Sequence, residues 1–258
     1  MTEHRKITEE IIPAKLKEIE ERENVRILHC IESGSRAWGF ASPDSDYDVR
    51  FVYVRPLEYY LRLDKTRDVI EWQLDETLDI NGWDLQKALR LLYASNPTLF
   101  EWSNSPIVYK TTGEWAELSA IITHFFQKKT GLYHYLSTAK SNYREYLKGD
   151  TVRLKKYFYV LRPILACRWI LEKQTPPPMR FTELAAACLD EALVPAVNDL
   201  LQKKMETPEL GLGPRIGLIN DYLDASIEEV EQRIRMLPDD EHVCWEELNR
   251  LFLKYIGL

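Results

Sequence analysis

The chain has 258 residues, of which 45% are hydrophobic and 29% are charged, with a formal net charge of −7. This length is enough for one large domain or two small ones with a buried core. No apolar run approaches the about 20 residues that a membrane-spanning helix needs, and the charged N-terminal segment is unlike a signal peptide. The four cysteines are far apart and form no CxxC pair, which favours free thiols over a zinc site and predicts a cytoplasmic protein without membrane contact.

The net charge hides a basic segment in the middle of the chain. Between residues 128 and 180 the sequence has twelve lysines and arginines against three acidic residues, a local net charge of +9 on an otherwise acidic chain. Such a local excess favours one anion-binding site over general affinity for nucleic acid.

The first part of the chain alternates predicted strands with short helices. A helix capped by Thr8 comes first, and Asp84 and Asn96 are predicted to cap two later helices. Short helical segments are also predicted at 36–40 and 57–63, and the helix at 85–92 has apolar residues at helical spacing. The predicted strands, rich in β-branched and aromatic residues, are 25–31, 47–54, 69–74 and 77–80.

The second part of the chain is predicted to be helical almost throughout, with a proline-rich linker at 174–178 and a loop at 207–214. The predicted helices are 114–128, 132–148, 153–173, 181–204, 226–236 and 241–256. The sequence therefore predicts an α+β fold, in which a small mixed β-sheet core at residues 1–110 precedes a helical domain at residues 111–258.

Gly34 to Asp48 is the most informative stretch. Glycine lets backbone N–H groups approach a phosphate closely, and Ser35 adds a hydroxyl donor at the same place. Alternate side chains of a strand point to the same face, so Asp46 and Asp48 can share a Mg²⁺ ion. Two other interpretations stay open: a solvated turn, since residues 43–46 have a typical turn composition, and the metal motif of a glycosyltransferase.

Several stretches together carry a family resemblance. Gly34-Ser35, ten intervening residues and Asp46-Tyr47-Asp48 resemble the signature of the DNA polymerase β-type nucleotidyltransferase superfamily. More narrowly, the chain resembles a bacterial and phage family of predicted nucleotidyltransferases, some of which are associated with RNA ligases. The stretches that carry this second resemblance are 32–39, 82–89, 95–97 with 101–102, and 157–163. The resemblance spans about residues 25–175 and implies a mixed sheet flanked by helices, with a helical domain over the nucleotide.

The resemblance also implies roles for individual residues. Gly34 and Ser35 would bind the phosphates of a nucleoside triphosphate, taken here as ATP. Asp46 and Asp48 would bind two Mg²⁺ ions, one at the triphosphate and one at the acceptor hydroxyl.

The resemblance also implies a third carboxylate, and two arginines lie close to the motif in the sequence. The superfamily has a further carboxylate on a neighbouring strand as metal ligand and general base, for which we choose Asp79, with Glu71 as the alternative. Arg36 can reach a phosphate or pair with Asp44. Arg50 shares the face of the two motif aspartates, where an ion pair with them is the simpler prediction.

Lysines and arginines of the basic segment are candidates for contacts with the triphosphate. Lys140, Lys155 and Arg162 are the first choices, and six tyrosines in the same segment could stack on a base. The alternative is a solvated basic helix face above buried tyrosines.

The sequence as a whole predicts a Mg²⁺-dependent transfer of AMP from ATP to a hydroxyl, with release of pyrophosphate. An RNA end is a plausible acceptor because of the family's association with RNA ligases, and a protein or a small molecule stays open. A catalytically inactive module that senses nucleotides, such as an antitoxin, is the rival from another class.

Overall fold

The computed structural model describes residues 3–74, 77–206, 211–241 and 243–258. A five-stranded mixed sheet with helices packed on it is followed by a largely helical second half. This architecture confirms the predicted α+β fold class. Within the described residues, no helix combines the length and the apolar character needed to cross a membrane.

The strands of the first half form one sheet in the order β3-β4-β2-β1-β5. β2 and β4 run parallel, and the other neighbours are antiparallel. Two short strands of the second half, β6 and β7, pair separately. The strands are β1 (Arg26–Glu32), β2 (Tyr47–Val54), β3 (Val69–Leu74), β4 (Leu78–Asp84), β5 (Val108–Thr111), β6 (Thr151–Arg153) and β7 (Leu212–Pro214).

Helices connect and cover these strands. A π-helical segment at Ile7–Ile11 joins the first two, and 3₁₀ turns occur at Ile122–Phe125, Leu154–Tyr157 and Glu191–Leu193. The α-helices are α1 (Glu3–Lys6), α2 (Ile12–Glu23), α3 (Gly34–Trp38), α4 (Leu57–Tyr60), α5 (Leu85–Tyr93), α6 (Pro97–Ser103), α7 (Gly113–Ser119), α8 (Lys128–Tyr146), α9 (Phe158–Lys173), α10 (Phe181–Cys188), α11 (Val194–Glu206), α12 (Gly217–Met236) and α13 (Glu246–Ile256).

The four predicted strands are present, and one of them is longer than predicted. β4 continues through Gly82, where an added Cβ would lie 2.1 Å from the Phe51 ring, so only glycine fits this close approach between strands. Asp84 then caps α5 by accepting a bond from the backbone N of Gln86, and Asn96 caps α6. Both predicted caps are therefore confirmed.

The first helix and the helix predicted at 181–204 differ from prediction. The helical backbone already begins at Glu3, so Thr8 lies inside it and its hydroxyl donates to the carbonyl of His4 instead of capping. The second helix is divided into α10 and α11, because Pro195 lacks an N–H donor and is compatible only with the first turn of a helix.

Two further boundaries differ in the last third. α12 begins at Gly217, earlier than the predicted 226, and α13 begins at Glu246, later than the predicted 241. Of the predicted loop at 207–214, residues 207–210 lie outside the described residues, as does His242, and the end of the loop forms β7.

Apolar side chains cover both faces of the sheet. Odd-numbered residues of β2, such as Val49 and Phe51, pack toward α2, while Val52 and Val54 pack toward α5, α6 and α13. By the alternation of a strand, Asp48 and Arg50 lie on the same face as Val52. Because α13 packs with the sheet, the C-terminal end of the chain returns to the first half, and the division at residue 110 stays a prediction.

A third apolar cluster lies among α8, α9, α10, α11 and α12, and its buried residues include Phe40 from the first half. Its ring lies 4.9 Å from that of Phe158 and 5.6 Å from that of Phe181. Phe40 therefore anchors the segment between α3 and β2 to the helical half, and this segment leads directly to the predicted carboxylates.

Candidate active site

The Gly34-Ser35 turn lies directly against the carboxylate of Asp48. Gly34 has φ +58°, and a Cβ at this position would lie 1.9 Å from Oδ2 of Asp48. The backbone N of Ser33 donates to the carbonyl of Asp48 at 2.8 Å. Glycine is therefore required twice, for its left-handed backbone and for the close approach of the carboxylate.

Two carboxylates lie side by side on paired strands. Asp48 of β2 and Asp79 of β4 are direct neighbours in the parallel register. Nη2 of Arg50 lies between them, 3.0 Å from Oδ1 of Asp48 and 2.6 Å from Oδ2 of Asp79. Glu71 lies on β3, one strand farther out, opposite Asn81. The geometry thus favours Asp79 over Glu71 as the third carboxylate, and it pairs Arg50 with Asp48 as predicted.

The electrostatics of the site favour a bound cation. Burial raises the pKa of Asp48, the negative charges of Asp79 and Asp46 raise it further, and Arg50 opposes them. Carboxylate oxygens are the ligands that Mg²⁺ prefers. Asp46 and Asp48 therefore fit a divalent metal by charge and by donor type, although the described part of the chain contains no group of three or more His, Cys, Asp or Glu side chains in a metal-binding arrangement.

A buried glutamate supports the strand that carries Asp48. Glu32 of β1 is fully buried, and its Oε1 accepts a bond from the backbone N of Asp48 at 2.8 Å. The hydroxyl of Tyr109 donates to its Oε2. Burial raises the pKa of Glu32 to about 7. The position of Asp48 therefore depends on a carboxyl group that can carry a proton near neutral pH.

A cleft of about 190 Å³ lies beside these groups. It brings together Ser35, Asp46, Asp48 and Lys155, which the sequence predicts to form one nucleotide site. Its lining residues are Ser35, Phe40, Ser42, Asp44, Ser45, Asp46, Asp48, Lys155, Tyr159 and Lys204. Asp79 is not among them. It binds Arg50, which also binds Asp48 of the cleft lining.

Arg36 contacts the backbone of the segment between α3 and β2, and its predicted contact with a phosphate stays a prediction. Its Nε donates to the carbonyl of Asp46 at 3.0 Å, and its Nη2 donates to the carbonyl of Ser45. Its guanidinium lies 3.8 Å from the centre of the Tyr47 ring. Arg36 therefore braces the backbone that leads into β2.

The structure places two of the three predicted basic residues outside the cleft. Nζ of Lys140 lies 2.5 Å from a carboxylate oxygen of Glu231 on α12. Arg162 is buried, donates to Glu101 at 2.9 Å and packs over the Trp38 ring. Both cations join the helices to their neighbours because acidic side chains of distant segments face them.

Lys204 of α11 also reaches the cleft, although it is not among the predicted site residues. It is buried, and its Nζ donates to Oγ of Ser42 at 3.0 Å. Burial lowers its pKa. Lys204 follows Val197 and Leu200 at i+7 and i+4, so helical spacing places it, and not Lys203, on the buried face of α11.

Comparisons with known proteins agree with the resemblance. The family model of the RNA repair pathway DNA polymerase beta family (RlaP) matches residues 8–254. The uncharacterized protein YcgL of Bacillus subtilis (strain 168) is 45% identical over 244 residues, which cover 94% of each chain. A solved structure, a nucleotidyltransferase-like protein from Exiguobacterium sibiricum 255-15, is 14% identical with a TM-score of 0.31 and covers 86% of this chain and 73% of its own.

The structural likeness is too low to support an argument. The family model, in contrast, spans nearly the whole chain, including the Gly34-Ser35 turn and all three carboxylates. The chain therefore belongs to the RNA repair pathway DNA polymerase beta family.

Proposed function

We propose that the protein transfers AMP from ATP to a hydroxyl acceptor and releases pyrophosphate. The observation that supports this most strongly is the convergence of Ser35, Asp46, Asp48 and Lys155 on one cleft, with Asp79 beside Asp48. A phosphate-binding turn, a pair of carboxylates and a cation are the groups that phosphoryl transfer requires.

Asp46 and Asp48, with Asp79 as a third ligand, would hold two Mg²⁺ ions. Bound there, the ions would neutralise the triphosphate and make the acceptor hydroxyl more acidic. The raised pKa of Asp48 supports this assignment, because a carboxylate that is costly to keep charged gains from a neighbouring cation.

The side chains of the protein would orient and stabilise the reacting groups. The Ser35 hydroxyl and the backbone at Gly34 would hold the phosphates, and Lys155 would stabilise their negative charge. Asp79 would accept the proton of the acceptor hydroxyl. The acceptor oxygen then bonds to the α-phosphorus, and the bond from this phosphorus to the pyrophosphate oxygen breaks.

An RNA end is the acceptor that the family description supports, since this is a family of the RNA repair pathway. Protein and small-molecule hydroxyls are the alternatives to be tested beside it.

The contact between Arg50 and two carboxylates supports a second candidate function. An internal cation already satisfies Asp48 and Asp79, as expected in a module that binds a nucleotide and transfers nothing. Such a nucleotide sensor would keep the cleft and its cations but would not need a metal at Asp79.

The experiment is incubation of the protein with ATP labelled at the α-phosphate, Mg²⁺ and RNA, protein or small-molecule acceptors in separate reactions. We expect label on RNA with the wild type and none with the variant that combines Asp46→Asn and Asp48→Asn. Asp64→Asn is the matched control, because Asp64 is an exposed carboxylate that pairs with Arg62. Tight ATP binding without transfer to any acceptor would favour the sensor.

A further inference from the structure

Asp46 follows a turn at residues 42–45 whose two serines bond to each other. The backbone N of Ser45 donates to the carbonyl of Ser42 at 3.0 Å. The backbone N of Ser42 donates to Oγ of Ser45 at 2.9 Å, and the two hydroxyl oxygens are also 2.9 Å apart. Because these bonds lie within the turn, they define its shape but not its place relative to the sheet.

Two cations from outside the turn hold it, one from the neighbouring α3 and one from the helical half. Arg36 of α3 binds the carbonyls of Ser45 and Asp46. Lys204 of α11, 162 residues away from Ser42 in the chain, donates to the Ser42 hydroxyl. The contact with Arg36 attaches the turn to α3, and the contact with Lys204 attaches it to the helical half.

The burial of Lys204 distinguishes it from the lysine before it. Lys204 is 6% exposed, and burial lowers its pKa, while Asp44 raises it and Lys155 lowers it. The side chain of Lys203 is 58% exposed and pairs with Asp199 on its own helix. Burying an ammonium group costs free energy that a specific contact must offset, and the contact with Ser42 is such an interaction.

We propose that Lys204 is a positioning residue, which holds the 42–45 turn through Ser42 and thereby places Asp46 to bind a divalent cation beside Asp48. The inference rests on the proposed function and deepens it. Metal binding by Asp46 would then depend on how α11 packs, because α11 carries Lys204.

Metal affinity separates this role from a direct electrostatic one, because the two roles predict opposite changes of affinity when Lys204 is replaced. If Lys204 acted only by its charge, Lys204→Met would remove a cation near two carboxylates and tighten metal binding. If it positions Asp46, the same change loosens the turn and weakens metal binding by about 10-fold, the size of effect found for residues that orient metal ligands.

The experiment is a titration of the full chain with Mn²⁺ in the absence of nucleotide. The electron paramagnetic resonance signal of free Mn²⁺ measures how much of the ion is bound. We expect Lys204→Met to bind Mn²⁺ about 10-fold more weakly than the wild type, and Lys203→Met to bind like the wild type. Hydrogen exchange of the peptide that covers residues 41–46 should accelerate in Lys204→Met alone. Equal or tighter Mn²⁺ binding in Lys204→Met overturns the proposal.

Ser42→Ala keeps the test valid if Lys204→Met does not fold, as judged by thermal unfolding. It removes the acceptor of the same hydrogen bond and also the hydroxyl contact with Ser45, so it should weaken Mn²⁺ binding too. Where Lys204→Met folds, the double variant should bind Mn²⁺ no more weakly than Ser42→Ala. Additive effects would contradict an action through Ser42. A wild type that binds no Mn²⁺ overturns the proposed function together with this inference, whereas normal wild-type binding with unaffected variants overturns the inference alone.

Discussion

The predicted carboxylates lie close together at the sheet, whereas only one of the three predicted cations, Lys155, lines the same cleft. Asp48 and Asp79 are neighbours because two parallel strands pair in register. Lys140 and Arg162, predicted to face the nucleotide, instead bind Glu231 and Glu101.

The difference lies in how far each pattern reaches. Strand alternation places a side chain on a face of the sheet, and hydrogen-bonded pairing places the next strand beside it within about 5 Å. Helical periodicity only says which residues of one helix share a face. What that face meets depends on the packing of other helices, such as α12 against α8.

The largest effect is expected for Asp48→Asn, which tests the sheet side of this comparison. Loss of the negative charge removes a proposed metal ligand and the partner of Arg50, so we expect the proposed transfer to fall by about 1,000-fold, with the folded state retained. Rates with labelled ATP and thermal unfolding measure the two properties. Asp64→Asn is the control, and a variant at Asp48 with wild-type turnover would refute the metal assignment.

Arg162→Met and Lys140→Met test the helical side. Breaking the buried pair with Glu101 leaves an unpaired charge inside the protein and should cost about 3–5 kcal/mol of unfolding free energy. The pair with Glu231 lies at the surface, where solvent screens it, so its loss should change the unfolding free energy much less. Urea unfolding measures both. If Lys140→Met instead weakened ATP binding without loss of stability, Lys140 would belong to the nucleotide site after all.

Gly34→Ala tests how tightly the two elements of the sheet site fit together. Its Cβ would collide with Asp48, and displacing a reacting group by about 1 Å can cost about 100-fold in rate. Gly39→Ala is the matched control, since Gly39 also has a positive φ, +87°, but an added Cβ there meets nothing within 4 Å. An equal loss of rate in both variants would show that backbone strain matters and the contact with Asp48 does not.

Glu32→Gln tests how the buried carboxyl group beneath the sheet site makes the stability depend on pH. The folded state raises the pKa of Glu32 from 4.5 to about 7, so it binds the proton more tightly than the unfolded chain. This stabilisation is complete below the unfolded pKa and is lost as the pH rises through the folded one.

We therefore expect the wild type to lose about 2–3 kcal/mol of unfolding free energy between about pH 5 and pH 8, relative to Glu32→Gln. Urea unfolding at a series of pH values measures this difference. Parallel pH profiles for the two proteins would mean that Glu32 titrates near its ordinary value in the folded state.

Much of the sheet was predictable, and the short elements of the second half were not. Strands β1 to β4 contain enough β-branched and aromatic residues to be recognised, whereas β6 and β7 have three residues each and show no periodicity. Asp79 was preferred over Glu71 on sequence grounds, and the parallel pairing of β2 with β4 supports that preference.

Local patterns in the sequence determined the family and the fold class, because strand alternation and glycine conformation act within a few residues. They also predict that Asp46 and Asp48 share a face, although Asp46 lies just before β2. Only the tertiary structure decided that Arg50 bridges two carboxylates, that Glu32 lies beneath them and that Lys204 reaches Ser42. These contacts join segments that are distant in the chain, and their partners are selected by packing, which no local pattern encodes.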